Sequence, residues 1–435
     1  MDARGLARRV GSLAALLSIG ALVLGATPTG AAVVPRAVVP ASMPDDAARA
    51  GVALGPPHAV STAITGPVWG PAPAPAPSLP VAGPAEVANP RTGWGPSLDT
   101  VEAARLAVAG MSLEQLAGQV LVARYWESDP AAAGLLVGRW NLGGVILMGE
   151  NIRTPEQVVA TTAAVHGAVQ AGGRTWPGIV AVDQEGGRVE RLRGLVTSLP
   201  TLADLGVVGP DATRAGFEGL GRELRALGIT MNMAPVADVT IGPEDPTIGD
   251  RSASTDPRVV SVIALAASRG LLDAGVVPVL KHFPGHGSVT TDSHVALPVQ
   301  PASLAELESR DLLPFRAGIA AGLPVVMTGH LDMTQLDPGV PASLSPATYR
   351  LLRELGFEGV AVTDSLAMAA VPKPVPGQEA VTALVAGADL ILMPSDVGAA
   401  HAAIVAAVRD GSLSAERLTE AAVRVVALQM WFAER

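Results

Sequence analysis

The chain has 435 residues and a formal charge of −10, so it lacks the clustered basic charge needed to neutralise phosphates, which sets nucleic acid aside as a partner. Its composition is 49% hydrophobic, only 3% aromatic and free of cysteine. That supplies a core of small aliphatic side chains and leaves neither a disulfide nor a lipoprotein-type acylation site.

The N-terminus has the three parts of an export signal. Arg4, Arg8 and Arg9 give a positive region, residues 13–24 an apolar stretch, and Gly30-Ala31-Ala32 a small-residue cleavage site. The apolar run is shorter than the roughly 20 residues that span a bilayer, so residues 1–32 are expected to be a cleaved signal peptide. No later segment has transmembrane character. From 33 to 95 the composition turns to proline, alanine and glycine, with PAPAPAPSLP at 71–80. Without apolar periodicity such a run cannot repay the entropy of folding, and a disordered Pro/Ala/Gly-rich tether is expected. His58 within it is incidental.

Beyond residue 95 short Val-, Ile-, Leu- and Met-rich runs recur: GQVLVAR (118–124), GGVILM (143–148), GIVAVD (178–183), ITMNMAPVADV (229–239), VPVLKHF (277–283), PVVMTGH (324–330), GVAVTD (359–364) and DLILMP (389–394). Helical stretches are expected at 155–171, 211–227, 257–274, 303–321, 346–355 and 414–432. Near-continuous apolar strands alternating with helices describe a parallel sheet buried on both faces. Eight such units over 96–435 predict an α/β fold, a single-domain (β/α)8 TIM-like barrel, with an open doubly wound sheet as the rival.

Polar residues interrupt these runs at their C-terminal ends: Asp183, Asp238, Lys281 with His282, His330 and Asp364. A single Asp at a strand end is ordinarily a helix N-cap or turn residue. Ionisable groups at five strand ends instead predict one shared polar cavity, because that rim of an α/β barrel is where catalysis occurs.

The same residues carry a family resemblance. KHFPGHGSVTTDSH (281–294), followed by Leu297-Pro298, resembles the signature of glycoside hydrolase family 3, in its single-domain β-N-acetylhexosaminidase branch. LGGVILMGENI (142–152), VDQEGGRVERL (182–192), NMAPVADV (232–239), IGDRSAS (248–254), VMTGHLD (326–332), TDSLAM (363–368) and AGADLILMP (386–394) match in the family's order. The resemblance implies that Asp364 is the nucleophile, His294 the acid/base and Asp292 its dyad partner. It also implies that Asp183, Arg191, Arg251, Lys281 and His282 contact the sugar or order the pocket. Cleavage with retention needs a nucleophile on one face of the sugar and a proton donor on the leaving oxygen, and a carboxylate beside an imidazole fixes its tautomer for that task. The loop bearing this pair can close over substrate and exclude water. Glu185 and Arg188 are expected in structural ion pairs, His286 as a support of the loop, and His166 and His401 as helix packing or surface residues. The sequence departs from the family pattern in the GSVTT part of the loop, at Ala253 and at Ser365; none of these removes a group named above.

The function expected from the resemblance is a secreted or cell-wall-associated retaining β-N-acetylglucosaminidase. It would use no cofactor or metal, act as a monomer, and take a GlcNAc-containing glycan or muropeptide as substrate. Phosphorolysis and β-glucosidase activity remain alternatives on the same fold; absence of sugar 1-phosphate during turnover in phosphate buffer would remove the former. Two other classes stay open. A metal-dependent barrel hydrolase could use His282, His286, His294, Asp292 and His330 as ligands, although no HxH or HExxH pair is present. An inactive sugar-binding module is the second. An EDTA-treated assay tests the first, and turnover of an aryl N-acetyl-β-glucosaminide the second.

Overall fold

The computed structural model describes residues 92–435. The expected signal peptide and all but the last residues of the expected tether lie outside the described residues. Trp94, at the end of the 33–95 stretch, is only 5% exposed and belongs to the core.

Strands form within all eight apolar runs: Leu121–Ala123, Gly144–Leu147, Ile179–Val182, Met231–Asn232, Val277–Pro278 continued by Leu280–Phe283, Val325–Thr328, Val360–Thr363 and Ile391–Leu392. They are short because the ladder, not the apolar run, sets their length. Parallel pairing joins the first five runs in chain order and places Ile391–Leu392 beside Leu121–Ala123. A second parallel ladder joins Leu280–Phe283, Val325–Thr328 and Val360–Thr363. The two ladders share the 277–283 segment and meet again at a parallel bridge between Val362 and Leu390. The result is a TIM-barrel-like α/β fold, with Val325–Thr328 and Val360–Thr363 buried along their whole length as strands covered on both faces must be. Among the described residues no helix is long and apolar enough to cross a membrane.

Local signals set the helices. Pro155–Ala171 starts where Thr154 accepts the Gln157 N–H and Pro155 occupies the first turn. The helix expected at 303–321 is broken into Leu304–Ser309 and Leu313–Ala320, because Pro314 has no N–H to donate to the carbonyl of Arg310. At the break the Arg310 guanidinium donates to the carbonyls of Val239, at 2.8 Å, and Thr240, at 3.0 Å. Pro210–Ala226, Pro257–Asp273 and Pro346–Glu354 form where helices were expected, and Leu98–Ala109, Leu113–Gln119, Pro130–Trp140, Leu202–Val208, Gln378–Ala386 and Val397–Asp410 are further helices; several of the latter are too alanine-rich to stand out by apolar contrast.

The C-terminal helix Ala415–Ala433 is fastened to the barrel through Asp389, which is fully buried. Its carboxylate accepts Arg353 Nη2 at 2.6 Å, Arg417 Nη2 at 2.6 Å, Arg424 Nη1 at 3.1 Å and the Ala361 N–H at 3.0 Å. Removing one member of a buried charge network leaves the others unpaired, at a cost of about 3–5 kcal/mol. We expect Asp389→Ala to lower the urea-unfolding free energy by about that much, and a loss below ~1 kcal/mol would show that solvent replaces the carboxylate.

Candidate active site

The C-terminal ends of the strands converge on one cavity of about 620 Å³, a size suited to a small ligand. Asp364 follows the strand Val360–Thr363, and its N–H donates to the Thr328 carbonyl at 2.9 Å. The ladder thus runs one residue past the strand and fixes the carboxylate at the rim. Ser365 N–H donates to Asp364 Oδ1 at 2.6 Å. Burial alone would raise the pKa of this acid, but His330 and His282, the Ser365 N–H and Lys281 outweigh it and hold the carboxyl down to about 2.

A depressed carboxyl contributes stability that is fully present above its unfolded value near ~4 and is lost only as pH falls through about 2. The Asp292 carboxyl is also lowered, because the hydrogen bonds and charge of His294 outweigh the effect of burial. We therefore expect kcat/KM to show no acid limb from these carboxylates near pH ~4. A limb there with the fold intact, measured by pH–rate profile and circular dichroism, would contradict it.

A second group of charges lies across the cavity. Asp183 and Glu185 are two residues apart in extended chain and so share a face. Lys281 Nζ lies 2.6 Å from Glu185 Oε1 and 3.4 Å from Asp183 Oδ1, while Arg251 donates twice to Glu185, each at 2.9 Å. Burial would raise the Glu185 pKa, but the two cations hold it well below the carboxylate range. Arg191 Nη2 stands 3.7 Å from Asp183 Oδ2. The sequence placed Glu185 and Arg188 in structural ion pairs; the partners are Lys281 and Arg251 for Glu185 and Asp250 for Arg188, and Glu185 itself lines the cavity.

Beneath them sits Asp238, fully buried. It accepts His282 Nδ1 at 2.7 Å and the backbone N–H groups of His282 and His286 at 3.1 and 2.7 Å. One carboxylate therefore orients the His282 ring and pins the start of the loop that leaves the barrel after Phe283. His286 Nε2 meets Ser293 Oγ at 2.9 Å, which matches its expected supporting role. The loop presents His294, whose side chain is 64% exposed, with Nδ1 at 2.7 Å from Asp292 Oδ1. Among the described residues no protein group bonds His294 Nε2, so that nitrogen is available to a ligand.

Seven of the eight residues expected at the site, Asp183, Arg191, Arg251, Lys281, His282, His294 and Asp364, line this single cavity; Asp292 stands behind His294. His166 and His401 lie away from it, on the carbonyls of Gly228 and Glu114. Sequence reasoning missed the positioning role of Asp238 and of His330, which bonds Ser343 Oγ at 2.7 Å and the Ser365 carbonyl at 2.8 Å. Their place at strand ends was the available signal. Among the described residues no group of three or more His, Asp or Glu side chains could hold a metal ion, and His282, His286 and His330 have ring nitrogens committed to protein partners.

Residues 112–428 match the glycosyl hydrolase family 3 N terminal domain. The chain is 38% identical over 315 residues to beta-hexosaminidase LpqI of Mycobacterium tuberculosis, covering 69% of this chain and 79% of that protein. It is 37% identical to beta-hexosaminidase A of Pseudoalteromonas piscicida over 61% of this chain, but spans only 48% of that relative. Among solved structures, a glycoside hydrolase family 3 beta-N-acetylglucosaminidase from a Paenibacillus species superposes with a TM-score of 0.71 at 38% identity, covering 74% of this chain and 63% of that one.

Proposed function

The chain belongs to glycosyl hydrolase family 3, and on that premise we propose that it is a retaining β-N-acetylhexosaminidase releasing terminal N-acetylglucosamine from cell-wall-type glycans. The observation that carries this proposal is the pairing, on one cavity, of an ionised carboxylate fixed at a strand end, Asp364, with an imidazole on a loop, His294, that has one nitrogen tied to Asp292 and the other open.

In the first step an Asp364 oxygen attacks the anomeric carbon as the bond from that carbon to the leaving oxygen breaks. The leaving oxygen takes a proton from His294 Nε2, with Asp292 holding Nδ1 and stabilising the cation. In the second, neutral His294 takes a proton from water as the water oxygen attacks the anomeric carbon, and the ester to Asp364 breaks. Two inversions return the original anomeric configuration. Asp183, held between Lys281 and Arg191, accepts sugar hydroxyls through charge-assisted hydrogen bonds, while Glu185, Arg251 and Lys281 form its rigid support and His282 is oriented by Asp238.

The organisation we propose is a catalytic domain over 96–435, preceded by an export signal and a tether, so that the enzyme meets its substrate outside the cytoplasm. The charged sequence at 4–9, the apolar stretch after it and the Pro/Ala-rich run support this. Digestion of purified peptidoglycan fragments, with the released sugars identified by mass spectrometry, tests activity and target together. Free N-acetylglucosamine is the expected product; turnover of aryl N-acetyl-β-glucosaminides with no release from these fragments would contradict the assigned target.

A further inference from the structure

The opposite end of the barrel holds a second cavity, of about 320 Å³, that the proposed reaction does not use. Its wall comes from segments that precede three successive strands: Gln119 before Leu121–Ala123, Asn141 before Gly144–Leu147, and Arg174 with Trp176 before Ile179–Val182. Arg174 is only 7% exposed and Trp176 6%. Arg174 Nη1 donates to the Leu142 carbonyl at 2.7 Å, and at 3.2 Å to both the Asn141 carbonyl and Gln119 Oε1. Gln119 Nε2 in turn donates to Gln429 Oε1 of the C-terminal helix, and Gln429 Nε2 donates to the carbonyls of Gly143 and Pro177, each at 3.0 Å. The guanidinium is thereby fixed by neutral groups alone.

What the site lacks is a counter-charge. Among the described residues no carboxylate pairs with Arg174 and none lines the cavity. Among the described residues two buried donors, Arg174 Nε and the Trp176 indole N–H, have no partner, and Arg174 Nη2 donates to no group. Burial pushes this guanidinium down to about 10, the response of a cation that nothing offsets. A buried charge is ordinarily paired, and among the described residues this one is not. Around it Gln115 and Asn141 bring side-chain amides and Thr175 a hydroxyl, while Ala107, Met111 and Trp176 give an apolar wall.

We propose that this cavity is a binding site for a small oxyanion, a carboxylate or a phosphate, seated on the Arg174 guanidinium at the face of the barrel remote from Asp364. An oxyanion is acceptor-only and matches the fork of a guanidinium, and the site is preorganised, so little ordering is needed to bind. Bound there, the anion would link the first three strands to the C-terminal helix through Gln119 and Gln429.

Calorimetric titration of the full chain with inorganic phosphate, and separately with acetate, tests this at ionic strength held constant with chloride. We expect saturable one-to-one binding of at least one anion, together with a rise in the thermal midpoint. Arg174→Gln should weaken binding about tenfold or more. Ala107→Phe, which fills the cavity and leaves the guanidinium in place, should weaken it as well. Phosphate binding without acetate assigns a phosphate, and the reverse a carboxylate. No saturable binding of either anion by the unaltered chain overturns the proposal, as does unchanged affinity in Arg174→Gln. If Arg174→Gln does not fold, unchanged affinity in Ala107→Phe overturns it.

Discussion

Asp364→Asn should reduce kcat for an aryl N-acetyl-β-glucosaminide by at least ~10⁴-fold, the scale on which removal of a nucleophile removes covalent catalysis. The substitution isolates the chemistry from the fold. Asparagine has the same shape and keeps an oxygen for the Ser365 N–H, so the rim geometry survives. What disappears is the charge, and with it the ester on which the second step depends. The loss should fall on kcat, with sugar affinity nearly kept, because Asp183, Lys281, Glu185 and Arg251 are untouched on the other wall of the cavity. Circular dichroism and inhibition by N-acetylglucosamine give the controls. Retention of more than about a hundredth of the activity would mean that another group attacks the sugar.

The second large effect depends on the leaving group. His294→Ala should lower kcat/KM for an N-acetylglucosaminyl disaccharide by ~10²–10⁴-fold, the usual worth of general acid catalysis. An aryl substrate whose phenolate departs without a proton should lose far less, because kcat/KM reports only as far as formation of the glycosyl-enzyme. Its kcat should nonetheless fall, since water then attacks without a base, and a pre-steady-state burst should appear. Azide, which attacks without giving up a proton, should restore turnover. His294 and Asp292 are bonded chiefly to each other on the exposed outer part of the loop, so the substitution should leave stability nearly unchanged. Equal losses on both substrates would contradict the role of proton donor.

Much of the barrel was legible because buried parallel strands must be apolar on both faces: each of the eight runs contains a strand. Their ends were not legible, since where pairing stops depends on the neighbouring strand. The run at 229–239 keeps only Met231–Asn232 as ladder, with a later bridge from Val236 to Lys281. The 303–321 helix was overextended because its apolar periodicity continues through Pro314, whereas its hydrogen bonds cannot.

At the site, one-dimensional cues located the strand-end residues but did not separate those that line the cavity from Asp238 and His330, which act through them. Asp364, Lys281 and His282 interrupt apolar strands and stand out. Glu185 reads correctly as an ion-pair residue, but nothing in the order of residues shows that its partners are Lys281 on a strand and Arg251 on the short helical turn Gly249–Arg251. Asp238 resembles any acidic turn residue until folding places two backbone N–H groups and the His282 ring on its carboxylate. Arg174 gave no cue at all, since an arginine in a short connection is ordinarily exposed. Its burial arises from folding against Gln119, Asn141 and Leu142, which belong to segments preceding two earlier strands.

The mechanism stands or falls on a covalent bond between the Asp364 carboxylate and the sugar, which trapping can reveal. The enzyme would be treated with a fluorinated N-acetylglucosaminyl fluoride that forms the intermediate faster than it is hydrolysed, then digested and mapped by tandem mass spectrometry. One sugar per chain is expected, esterified to Asp364. A label on another residue, or inactivation-free hydrolysis giving the inverted anomer, would contradict it.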